Sequence, residues 1–129
     1  MSIRVIVDAR AALARRLSRA GQLDIVGTVS GLEEAAAIMP DARPDIVLLD
    51  IHPRDERAPE SCKALRAMTA APVVVFTSFI TPALWQQAQA AGAADYLLKH
   101  VDSDRLSRQI VRLAERFRST SSRAASEPA

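Results

Sequence analysis

Residues 46–49 (IVLL) and 73–76 (VVVF) are unbroken runs of large aliphatic or aromatic side chains. A strand with one face in water alternates apolar and polar residues, because successive side chains point to opposite faces. A strand without that alternation has to be covered on both faces. That is the condition of a parallel sheet sandwiched between two helical layers. This requirement limits the available folds more than anything else in the sequence.

The rest of the chain supplies the missing pieces. Residues 3–9 (IRVIVDA), 23–29 (LDIVGTV) and 94–99 (ADYLLK) read as further strands beside 44–51 and 71–79. Helical patterns fall between them. Residues 10–21 place Leu13 and Leu17 inward and end on Gly21. Residues 30–42 offer Ser30 as N-cap with Glu33 at capping-box spacing, and Pro40 is expected to close that helix. A short helix is expected near 59–68. Thr81, Pro82 and Gly92 mark the cap, first turn and exit of a fourth helix. A fifth runs from Asp102 or Ser103 to about Ser119, with Leu106, Ile110, Leu113 and Phe117 on one stripe. Five strands alternating with five helices predict a (βα)5 doubly wound α/β domain over 1–118. Residues 119–129 (STSSRAASEPA) are polar and small, and are expected to be a flexible tail or linker.

Composition narrows the class. The 129 residues suit one domain, and 49% hydrophobic with 25% charged residues is ordinary for a globular protein. No apolar run approaches the ~20 residues of a membrane span, and the N-terminus lacks a signal-peptide layout. The single cysteine, Cys62, rules out an internal disulfide and fits a cytoplasmic location. A net charge of +2 is too small to argue for direct nucleic-acid binding. Of the 17 basic residues only Lys63 and Lys99 are lysines, so a lysine closing an apolar run stands out.

In an open parallel sheet, chemistry collects beyond the carboxyl ends of the strands. Here the first strand ends on Asp8, the third on Asp50, the fourth on Thr77 and Ser78, and the fifth on Lys99. Any one of these could be a turn former or a solvated edge. Together they bring two carboxylates, a hydroxyl and an ammonium to one edge. Two acids brought together repel each other, and they persist most easily beside a balancing cation.

With these residues in place, the chain resembles the receiver domains of two-component response regulators, the CheY-like superfamily. The matching pieces are VIVDA, PDIVLLDI, VVVFTS and AGAADYLLK, and with DIVGTVSGLEEA they look most like NarL/LuxR-type receivers. The resemblance implies a flavodoxin-like strand order 2-1-3-4-5. It implies that Asp50 accepts a phosphoryl group from a sensor histidine kinase. Lys99 would then pair with one phosphoryl oxygen and Thr77 would bond another. Tyr96 is either the aromatic that swings with Thr77 or plain edge-strand packing. Asp8, Asp50 and the backbone carbonyl of His52 would hold Mg²⁺. Such a protein is a switch rather than an enzyme, catalysing only its own phosphorylation and dephosphorylation. In this family the fourth helix, fifth strand and fifth helix form the output face. A homodimer through that face, or an output domain or protein partner beyond the tail, follows as an expectation.

The sequence also departs from the family pattern. Ala9 stands where a second acid is usual, which predicts weakened Mg²⁺ binding. The loop after Asp50 (IHPRDERAP) has Pro53 one position early and no glycine, and its Asp55 and Glu56 read as solvated charges. His100 replaces the usual proline after the lysine. Phe79, two after Thr77, either shields an acyl phosphate or packs. His52 and His100 have no spacing that fixes a metal site. Two readings therefore stand: a working phosphorylation switch, or a degenerate receiver acting as a phosphorylation-independent dimerisation or docking module. A flavodoxin-like enzyme is disfavoured, because no Gly-rich phosphate loop follows the first strand.

Overall fold

The computed structural model describes residues 3–8, 23–29, 32–50 and 58–126. It contains strands β1 (Ile3–Asp8), β2 (Leu23–Val29), β3 (Ile46–Asp50), β4 (Val73–Thr77) and β5 (Asp95–Leu98). The helices are α1 (Leu32–Ala42), α2 (Ala58–Met68), α3 (Pro82–Ala90) and α4 (Ser103–Ser126). The helix expected at 10–21, with its Leu13 and Leu17, lies outside the described residues, as do Ser30 and the loop 51–57. The five strands form one parallel sheet in the order β2-β1-β3-β4-β5. This is the order the resemblance implies.

Alternation along the central strands divides the core. Ile46, Leu48, Val74, Phe76 and Leu97 face one side, where Leu106, Ile110, Leu113 and Ala114 of α4 cover them. Val47, Leu49, Val73 and Val75 face the other, under residues of α1, α2 and α3 such as Met39, Leu65 and Ala88. β3 and β4 are thus buried on both faces, as their unbroken apolar runs require. Cys62, 1% exposed, packs in the second layer.

Local chemistry sets the helix ends. Thr81 caps α3, its Oγ1 accepting from the Leu84 N–H at 3.2 Å, and Pro82 fills the first turn. The exit is a Schellman turn: Ala93 N–H donates to Ala88 O and Gly92 N–H to Gln89 O, with Gly92 at φ 103°. Asp102 caps α4, its Oδ1 accepting from Arg105 N–H at 3.0 Å. The apolar stripe of α4 faces inward, and Arg105, Arg108, Arg112 and Arg116 are exposed.

Two expected helix ends are corrected. Pro40 does not close α1, which runs two residues further to Ala42. A proline so near the end forfeits only its own bond to the carbonyl four residues back. The closure comes instead at Arg43, in a left-handed conformation (φ 44°), whose N–H reaches Met39 O. α4 continues past the expected end near Ser119 to Ser126. Residues 119–126 contain no glycine or proline to stop it, and Pro128 is the first breaker.

Candidate phosphoacceptor site

The carboxyl edge of the sheet is assembled by register. Asp8 is level with Leu49, one residue short of Asp50 on the neighbouring strand. Asp50 is level with Phe76, and Thr77 with Leu98. The Lys99 N–H then donates to Thr77 O at 2.9 Å, which fixes the lysine one rung beyond β5. Side-chain alternation decides which of these groups meet. Ile46, Leu48 and Asp50 share one parity along β3, as do Val74 and Phe76 along β4, and Leu97 and Lys99 along β5. Lys99 Nζ accordingly forms an ion pair with Asp50 Oδ1. The two side chains are 29% and 22% exposed, which leaves the carboxylate open to an incoming group. The same ammonium lies over the ring of Phe76, 5.7 Å from its centroid.

Thr77 has the opposite parity, is 1% exposed, and donates its hydroxyl to Phe79 O at 3.2 Å. The structure therefore brings Asp50 and Lys99 together and turns the Thr77 hydroxyl toward the following loop. Tyr96 is half-buried on that same face. Its ring meets Trp85 of α3 edge-on, with centroids 5.2 Å apart. Tyr96 thus packs between the edge strand and α3. Phe79 is 53% exposed, so it reads here as surface rather than core packing. His100 is exposed in the turn after β5, and none of the described peptide bonds is cis. Ala9, His52, Asp55 and Glu56 lie outside the described residues. Phe76 is the contact sequence reasoning missed, and strand parity was the signal that could have found it.

The donor set suits a hard cation. Asp8 and Asp50 carry carboxylates at adjacent strand ends, and Mg²⁺ is bound through one or two carboxylates with water completing the octahedron. The fit is one carboxylate short of the family pattern at Ala9, and among the described residues no three His, Cys, Asp or Glu side chains cluster. Away from this edge, burial pushes the Cys62 thiol above its ordinary pKa of 9.0, partly offset by the Arg66 guanidinium. Among the described residues, no helix is long and apolar enough to cross a membrane.

A parallel (βα) sheet with an acid on β3 paired to a lysine beyond β5 defines a response-regulator type of domain. Sequence comparison makes the assignment specific: residues 6–111 match the response regulator receiver domain, and the chain belongs to that family. It is 36% identical over 105 residues to an uncharacterised response regulatory protein of Vibrio cholerae, covering 81% of this chain and 44% of that one. It is 32% identical over 90 residues to the DNA-binding transcriptional activator DevR/DosR of Mycobacterium tuberculosis, covering 69% of this chain and 42% of the activator. The chain thus spans less than half the length of these relatives. Among solved structures it resembles the receiver domain of the response regulator NarL of M. tuberculosis. There the TM-score is 0.73 at 26% identity, over 88% of this chain and 97% of that one. The CheY-like receiver fold is the one the sequence implied, and receiver domains of this family generally bind Mg²⁺ at their acidic pocket.

Proposed function

We propose that this receiver is a working phosphorylation switch with Asp50 as its phosphoacceptor. The observation that carries the reading is the Asp50–Lys99 pair at the open edge of the sheet. Asp50 Oδ1 attacks the phosphorus of a phosphohistidine on a sensor histidine kinase. The P–O bond forms as the P–N bond breaks, and the imidazole leaves with the electron pair and takes up a proton. Such transfers are mostly positioning and charge neutralisation. Lys99 leaves the Asp50 carboxylate and meets a phosphoryl oxygen. The Thr77 hydroxyl exchanges the Phe79 carbonyl for another oxygen, and Tyr96 follows it inward against Trp85. Asp8, Asp50 and the His52 carbonyl would hold Mg²⁺, which would supply further positive charge at the phosphoryl oxygens. The rearrangement reaches the face made by α3, β5 and α4, where Leu98 is exposed. That face would pass the signal to a second copy, an output domain or a protein partner in the cytoplasm.

The test is incubation with acetyl phosphate and Mg²⁺ followed by intact mass measurement. One added phosphoryl group, absent from Asp50→Asn, supports the switch. No gain at high Mg²⁺ refutes it and leaves the phosphorylation-independent docking module. Because Ala9 removes a ligand, Ala9→Asp should tighten Mg²⁺ by roughly tenfold in a titration. An unchanged affinity would mean that position 9 does not set metal binding.

A further inference from the structure

The Asp50 carboxylate accounts for where the lysine sits before phosphorylation and the phosphoryl oxygen for where it sits afterwards, but neither holds it during the passage between them. Once Asp50 is an acyl phosphate, the oxygen that paired with Lys99 carries no full charge. A lysine side chain freed in this way regains its rotamers, and each rotamer regained lowers the fraction of molecules with the ammonium in the pocket. Among the described residues, Lys99 Nζ makes one further contact, and phosphorylation leaves it chemically unchanged. This is the face of the Phe76 ring at 5.7 Å, inside the ~6 Å reach of a cation–π interaction. Phe76 is well placed to act as a fixed surface. It is 3% exposed, packed among Leu48, Leu97 and Leu106, and directly level with Asp50 on the adjoining strand.

Resting on the reading of Asp50 as phosphoacceptor, we propose that Phe76 is a positioning residue. Its ring keeps the Lys99 ammonium at the pocket while that ammonium passes from the Asp50 carboxylate to the phosphoryl oxygen. The ring touches neither phosphoryl group nor metal and acts only through the lysine. Its position in β4 gives it a second role in the core, so the test has to separate electronic from packing effects.

Replacing Phe76 with pentafluorophenylalanine nearly conserves the ring's shape while reversing the polarity of its face. The rate of acetyl phosphate labelling should fall roughly threefold, the size expected of a cation–π contact at a partly exposed ammonium. Phe76→Leu should lose as much or more. Labelling of the fluorinated protein at the parental rate, with an unchanged melting temperature, overturns the proposal. A second arm does not depend on phosphorylation. With only Lys63 and Lys99 in the chain, isotopically labelled lysine gives two ε-methylene resonances. Stacking on Phe76 shifts the Lys99 signal upfield of the Lys63 signal, and the displacement disappears in Phe76→Leu. Coincident signals in the parent protein overturn the proposal whether or not Asp50 is phosphorylated. A parent that resists labelling but keeps the displaced resonance sinks the phosphoacceptor reading and leaves the Phe76–Lys99 contact standing.

Discussion

Replacing Lys99 with methionine removes one charge and keeps most of the stem that lies over Phe76. The parent pair sits between two regimes. Fully exposed pairs contribute about 0.2–1 kcal/mol, whereas breaking a buried pair costs about 3–5 kcal/mol. At 29% and 22% exposure much of the Coulomb attraction is screened by water, so the lower part of that interval applies. The lost cation–π contact adds about 0.5–1 kcal/mol. The part-buried Asp50 carboxylate is then left at the sheet edge without its cation. Together these terms predict a destabilisation of about 1–2 kcal/mol. In urea unfolding, with a slope of about 1.5 kcal/mol per molar, the midpoint falls by about 1 M. A double-mutant cycle sharpens the test. Asp50→Asn in the Lys99→Met background should recover about half of the loss, because it removes the stranded carboxylate but does not restore the contact with Phe76. The coupling between the two positions should be about 1 kcal/mol and should shrink only partly in high salt. An unmoved midpoint for Lys99→Met, or a coupling within about 0.3 kcal/mol of zero, refutes the account of the pocket as a charge-balanced pair.

Three further outcomes follow from the fold. Gly92→Ala should cost about 1–2 kcal/mol and lower the melting temperature by about 4 °C, because φ is 103° there and a Cβ would lie 3.0 Å from Arg66 Cγ. Ile110→Ala, at a site with no exposed surface beneath the sheet, should cost about 3–4 kcal/mol in urea unfolding. The Cys62 thiol should resist alkylation until the chain unfolds. Its pKa is raised on folding, so the stability it contributes is fully present below the unfolded pKa and is lost as pH rises through the folded one. Stability above about pH 9 should therefore fall less steeply in Cys62→Ala than in the parent.

Much of this was legible from the sequence because burial leaves a pattern. The unbroken runs at 46–49 and 73–76 could only be central parallel strands, and their polar ends then had to gather at one edge. The Asp50–Lys99 contact followed from that gathering. Thr77 was assigned to the same edge correctly, yet its hydroxyl bonds Phe79 O. Sequence position fixes the rung a residue occupies, while parity and the local loop fix which way its side chain turns. Phe76 escaped notice for a related reason. A phenylalanine in an apolar run reads as core, and nothing in its own strand shows that a lysine from the neighbouring strand lies across its ring. Pro40 misled through a rule that is sound inside a helix and weak in its last turn, where few bonds remain to be lost.

The meeting of Trp85 and Tyr96 has a practical consequence. They are the only tryptophan and the only tyrosine in the chain, and their rings touch across the gap between α3 and β5. The indole emission of this protein therefore comes from a single place, beside the aromatic ring assigned to follow Thr77. Movement of that ring alters the quenching and polarity around one fluorophore, with no background from others. The protein carries its own optical gauge of the α3–β5 seam, readable in a cuvette without a label.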